Sequence, residues 1–198
     1  MRWRVPDEPR VPLHGLVLTG GASSRMGRDK AMLRYHGAPQ WHVAAELLRA
    51  CGAEPFWSCS ARQAAEWKLG DRAVLDVEPG HGPASGLHAA FSRENGVAWL
   101  VIGCDYPWLE AQDLQRLVDA RASTIDAVSY LNDATGEIEP MITLWEPAAQ
   151  RHFVRAFAGG EYSARRILRL CALRVLVPRS PHLLDNRNDP HAFDRTTR

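Results

Sequence analysis

The sequence predicts an α/β fold of three layers, with helices covering both faces of a mainly parallel β-sheet. Two observations carry that prediction. Short apolar runs alternate with longer segments of helical period along most of the chain, as strands joined by crossover helices do. The composition, 45% hydrophobic and 24% charged over 198 residues, is that of a globular protein able to bury one sizeable core, and one domain is usual for about 100 to 200 residues. Residues 1–12, which alternate charge with proline, are read as an N-terminal extension, and residues 13–198 as a single domain without internal repeats.

The first strand is expected over residues 15–19, and the others over 55–59, 73–76, 98–102, 127–130, 140–144 and 173–177. A helix is expected over residues 39–50, with Pro39 at its start, Gly52 beyond its end, and Trp41, Ala44, Ala45 and Leu48 sharing one face. Further helices are expected over residues 84–93, 111–121, 147–157 and 164–170. Gly159 and Gly160 make the strongest internal break, read as a turn because the flanking segments are too short to fold alone.

The charge balance, 24 basic against 23 acidic residues for a net +1, gives no reason to expect nucleic acid or an anionic membrane as partner. Cys51, Cys59, Cys104 and Cys171 form no C-x-x-C pair, against a zinc site or a disulfide framework and in keeping with free thiols in a reducing cytoplasm. The first apolar run, residues 16–18, is far shorter than a signal-peptide core, and no run reaches the length of a membrane span. A cytoplasmic protein is expected.

Two segments carry chemistry. The first strand leads into TGGASSRMGRDKA, residues 19–31, where Gly20 and Gly21 allow positive φ and a close backbone approach to an anion. Ser23 and Ser24 add hydroxyl donors, and Arg25 and Lys30 can neutralise a polyphosphate. Gly27 is followed by Arg28 and Asp29, so the spacing is not that of a Walker A loop, nor is it G-x-G-x-x-G of a dinucleotide-binding dehydrogenase. In the second segment, AWLVIGCDYPWLE, Asp105 stands just beyond a buried strand, where the ligand crevice of an open α/β sheet lies. A carboxylate there can hold Mg²⁺; equally, it can cap the next helix. Cys104 reads as a packed strand residue without a partner that would activate it.

LTGGASSRMGRDK resembles the L-A-G-G-x-S-x-R-M-G-x-D-K signature of nucleotidyltransferases of the molybdenum cofactor guanylyltransferase (MobA-like) family, and CDYP resembles its C-D-x-P turn. The resemblance spans residues 13–193 and implies a Rossmann-like nucleotidyltransferase fold of the glycosyltransferase-A-like kind. It implies that Leu18, Thr19 and Gly20 line the base and that Gly21 belongs to the phosphate loop. It further implies that Arg25 and Lys30 take the triphosphate, that Asp105 reaches the phosphates through Mg²⁺, and that Asp76 contacts the nucleotide. Asp76 alone also reads as a turn former. No Asn follows the second strand, where Ser58 and Cys59 stand, so that family contact is not carried over. GHGPASGL resembles the family's G-P-L-x-G turn, and EIEPMITLW the segment that returns to the sheet after a short hairpin and faces the acceptor. Arg165 and Arg166, in SARRILRL, are read either as a solvated helix face or as acceptor-phosphate ligands. Asn186 and Asn188, in LLDNRNDP, match the family's N-x-N-T-P, or form an Asx-turn that caps the last helix.

The implied reaction is Mg²⁺-dependent transfer of GMP from GTP to the phosphate of a small acceptor, molybdopterin in that family, with release of pyrophosphate. Contact with cofactor-biosynthesis or recipient proteins would follow. Gly20 favours guanylyl over cytidylyl transfer. Cytidylyl or sugar-phosphate nucleotidyl transfer on the same fold stays open, as does a non-catalytic nucleotide-binding module. The departures from the family pattern are Thr19, Ala84 and Asp189.

Overall fold

A computed structural model describes residues 11–19, 30–35, 37–76, 80–133 and 135–186. Its strands are β1 (Leu13–Leu18), β2 (Glu54–Cys59), β3 (Ala73–Leu75), β4 (Ala98–Gly103), β5 (Ala127–Asn132), β6 (Glu137–Trp145) and β7 (Leu173–Leu176). They form one sheet in the order β3-β2-β1-β4-β6-β5-β7. The helices are α1 (Gln40–Ala50), α2 (Ala61–Glu66), α3 (Pro83–Arg93), α4 (Ala111–Asp119), α5 (Pro147–Ala158) and α6 (Ala164–Leu168). Each strand and helix expected from the apolar pattern is present, with ends shifted by a few residues.

Alternation along the central strands explains the three layers. On one face Val17, Leu100 and Ile102 pack with Leu48 of α1 and Leu114 and Leu117 of α4. On the other, Leu16, Leu18, Trp99 and Val101 pack with Leu87 and Phe91 of α3, Phe153 of α5 and Ile167 of α6. All six residues of β4 are buried, as a strand covered on both faces requires. Gly15 lets α1 lie close on β1, since a Cβ there would come within 2.7 Å of Leu48 Cδ1.

Two features went beyond the apolar pattern. Helix α2 buries none of its residues, so no periodicity announces it; it forms behind a capping box in which Ser60 accepts from the Gln63 N–H while the Gln63 side chain accepts from the Ser60 N–H. Strand β6 runs antiparallel to both β4 and β5, inside a sheet whose other pairings are parallel. Its register against β5 jumps from Ser129↔Thr143 to Tyr130↔Glu139. Residues 140–142 therefore fall in a bulge, which accommodates Pro140 where a regular ladder would want its missing N–H.

This topology positions the site. The parallel strands β1 to β4 end at one edge of the sheet, and β1 lies between β2 and β4, where strand order reverses and α/β folds open their ligand crevice. Because β6 is antiparallel, its beginning lies at that same edge. Among the described residues no helix is long and apolar enough to cross a membrane.

Candidate active site

The crevice has two corners. At the first, β1 ends in Leu18 and Thr19, and Thr19 is fully buried. Its N–H and its hydroxyl both donate to the Ser58 carbonyl of β2, at 3.2 and 2.6 Å. The Thr19 hydroxyl is thus spent on the neighbouring strand, which explains how Thr substitutes for Ala here. The Ser58 hydroxyl donates to Asp76 Oδ1 at 3.3 Å, and burial raises the Asp76 carboxyl above its ordinary value, opposed by that bond. Helix α3 closes this corner from behind. A Cβ on Gly86 would sit 2.1 Å from Ser58 Oγ and 3.2 Å from Leu18 Cδ2, so a side chain there would force Ser58 or the helix to shift.

At the second corner Asp105 follows β4. The Asn186 amide donates to Asp105 Oδ2 at 2.7 Å, a contact across 81 residues of chain. Burial raises the Asp105 carboxyl; the Asn186 bond and the positive charge of Lys30 pull it back without cancelling the shift. Gly103 makes room, for a Cβ there would lie 2.8 Å from Asp105 Oδ1 and 3.0 Å from Tyr106 Cε2. Tyr106 is buried and donates its hydroxyl to Glu139, while Asn186 also bonds the Tyr106 oxygen. Burial pushes the Tyr106 phenol up, with the Glu139 and Asp105 charges adding to it. The Glu139 carboxyl is itself raised by burial and by the nearby Asp105 charge, against the Met141 N–H, the Tyr106 hydroxyl and Arg165.

The sheet edge thus gathers Leu18, Thr19 and Asp76 at one corner, and Lys30, Asp105 and Asn186 at the other. Gly20, Gly21, Arg25 and Asn188 lie outside the described residues. The two helix arginines separate. Arg165 donates its Nε to the Ile138 carbonyl at 2.9 Å and its charge reaches Glu139, whereas Arg166 pairs with Glu161 and is mostly exposed. Glu139 and Tyr106 were not anticipated. The only hint was their position, in EIEPMITLW and next to Asp105, because what joins them is the pairing of β4 with β6.

A hard divalent cation suits this chemistry. Two partly buried carboxyls, Asp105 and Glu139, lie near enough that the Asp105 charge raises the Glu139 carboxyl, and all the donor atoms are oxygens. No cluster of three or more His, Cys, Asp or Glu able to hold a metal occurs among the described residues. A cation held there would take its further ligands from water or substrate oxygens. The cysteines offer no competing chemistry: burial pushes the Cys59 thiol up to about 11, with the Asp76 charge adding to it, and Cys104 is buried.

The sequence profile of the MobA-like NTP transferase domain matches residues 15–177. The chain belongs to the MobA-like NTP transferase family. Among its MobA-like relatives, a probable molybdenum cofactor guanylyltransferase of Opitutus terrae is 33% identical over 198 residues, covering 94% of this chain and 95% of the relative. A molybdenum cofactor biosynthesis bifunctional protein of Synechocystis is 31% identical over 189 residues; 94% of this chain is covered, but only 54% of that protein, so the chain spans about half its length. The crystal structure of molybdopterin-guanine dinucleotide biosynthesis protein A from Archaeoglobus fulgidus superposes with a TM-score of 0.70 at 20% identity, over 92% of this chain and 95% of that one. The MobA-like fold is therefore shared where little sequence is.

Proposed function

We propose that this chain transfers GMP from GTP to the terminal phosphate of a small acceptor of the molybdopterin class, releasing pyrophosphate. The observation that carries the reading is the partly buried Asp105 at the end of β4, fixed by Asn186 and faced by Lys30, beside the floor made by Leu18, Thr19 and Asp76. Family membership and the names of the relatives point to guanylyl transfer. The same reading assigns the transferase domain to residues 13–198, an extension to residues 1–12, and the cytoplasm as the place of work.

In this scheme Leu18, Thr19 and Gly20 seat the guanine, Gly21 offers its peptide N–H to a phosphate, and Asp76 accepts from the nucleoside. Arg25 and Lys30 neutralise the β- and γ-phosphates and stabilise the departing pyrophosphate. An oxygen of the acceptor phosphate forms a bond to the α-phosphorus as the bond from that phosphorus to the α,β-bridging oxygen breaks. The nucleophile is already ionised at neutral pH, so no general base is required. Asp105 would hold Mg²⁺, whose role is to neutralise charge developing on the phosphate oxygens. Of the helix arginines, Arg165, whose charge reaches Glu139, is assigned to the acceptor phosphate, because Arg166 pairs with Glu161; Asn186 and Asn188 are assigned to the same acceptor.

The test is incubation of the protein with Mg²⁺, a molybdopterin-bearing acceptor and an equimolar mixture of GTP and CTP, with products identified by mass. The GMP adduct and pyrophosphate should dominate. A CMP adduct in equal or greater amount would remove the guanylyl assignment, and no adduct from either nucleotide would remove the transferase reading.

A further inference from the structure

Glu139 lies in the EIEPMITLW segment, where the sequence gives it no role of its own, yet the fold goes to some length to place it. The bulge in β6 begins directly after it, so the regular β5 pairing at Tyr130↔Glu139 gives way to residues 140–142. Two fully buried hydroxyls secure the bend: Ser129 donates to the Glu139 carbonyl at 2.8 Å, and the single proton of the Thr143 hydroxyl goes either to that carbonyl, at 2.8 Å, or to Ser129 Oγ, at 2.9 Å. Bulges of this kind re-aim a side chain beside a functional site. Here the Glu139 side chain folds back to accept the Met141 N–H at 3.0 Å and takes the Tyr106 hydroxyl as well.

We infer that Glu139 and Tyr106 are positioning residues, a brace that holds the Asp105 carboxylate in its cation-binding orientation. The chain of contacts runs from Glu139 to the Tyr106 hydroxyl, from the Tyr106 oxygen to the Asn186 amide, and from that amide to Asp105 Oδ2. Tyr106 is covalently next to Asp105, and its ring packs where Gly103 has no side chain. Fixing the ring therefore limits the turn that carries Asp105, while Asn186, tied at both ends, fixes the carboxylate itself. Outer partners of metal-binding carboxylates typically contribute about 10- to 100-fold to metal affinity or activity.

The inference rests on the proposed role of Asp105 toward a divalent cation. Its test is a Mn²⁺ titration followed by EPR, in the presence of a non-hydrolysable GTP analogue, for the wild type, Glu139→Ala, Glu139→Gln, Tyr106→Phe and the double variant Glu139→Ala/Tyr106→Phe. Glu139→Ala and Tyr106→Phe should each weaken Mn²⁺ binding by about 10-fold, with the double variant no worse than either single one. Glu139→Gln should stay within about 3-fold, because its amide oxygen still accepts from Tyr106 and Met141. Affinity for the analogue without metal should not move. If Glu139→Ala unfolds, Tyr106→Phe, which keeps the ring, decides the matter. Wild-type Mn²⁺ affinity in Tyr106→Phe, or additive losses in the double variant, would overturn the brace while leaving Asp105 as the metal-holding residue. A wild type that binds no Mn²⁺ with the analogue would overturn the Asp105 reading and the brace with it.

Discussion

Asp105 concentrates the chemistry of the site in one side chain, and its environment sets two expectations. Replacing it with Ala should cut turnover by about 1,000-fold or more, since a bound cation supplies several kcal/mol to a phosphoryl-type transition state; steady-state pyrophosphate release reads this. The second concerns pH. Burial raises the folded-state pKa of Asp105, so between the ordinary carboxylate range and that raised value the folded state binds more protons than the unfolded one. Stability contributed by this group is therefore present at low pH and lost as pH rises. Asp105→Asn removes the loss. In metal-free, nucleotide-free melts, the melting temperature of Asp105→Asn relative to wild type should be near its minimum in acid and climb as pH passes through the raised value. A difference that shrinks with rising pH would contradict this. Asp105 was legible in the sequence because CDYP is local, a strand end, an acid and a proline in succession. Glu139 was not, because its meaning comes from a bulge and from a residue 33 positions earlier that only strand pairing brings near.

At the scale of elements, the first corner depends on how closely α3 lies on β2. Gly86→Ala places a methyl 2.1 Å from the Ser58 hydroxyl, inside a corner that also holds Leu18, Thr19 and Asp76. The variant should lose about 1 to 3 kcal/mol of stability, read by denaturant unfolding, and bind GTP more weakly because Ser58 must release Asp76. The G-P-x-x-G turn of the sequence thus carries a steric requirement that its motif alone did not state. Elements with a strong apolar period, such as α1, α4 and the central strands, were foreseen from that period. Helix α2, capped at Ser60 and buried nowhere, had none to show, and the antiparallel direction of β6, which the short connection from Asn132 to Glu137 requires, was visible only through the hairpin that the family resemblance implied.

Across the whole molecule, the half of the sheet that carries the proposed nucleotide corner must stay in register with the half that carries the acceptor side. One contact that ties distant segments is the ion pair of Arg121, just beyond α4, with Glu146, which leads into α5. It is bidentate at 2.6 and 3.1 Å, with side chains 6% and 15% exposed. Arg121 also donates to the Val11 carbonyl ahead of β1. Arg121→Ala should cost about 2 to 4 kcal/mol, because it strands a largely buried carboxylate, while kcat at a temperature where the variant remains folded stays near wild type; a loss under about 1 kcal/mol by denaturant titration would show the pair to be incidental. Nucleotidyl transfer is read from the fate of a phosphorus label in the reaction with a molybdopterin acceptor. Phosphorus label placed at the α position of GTP should appear in the acceptor product and label at the γ position in pyrophosphate. Transfer of γ-label to the acceptor, or release of α-label as free GMP with the acceptor unmodified, would contradict nucleotidyl transfer.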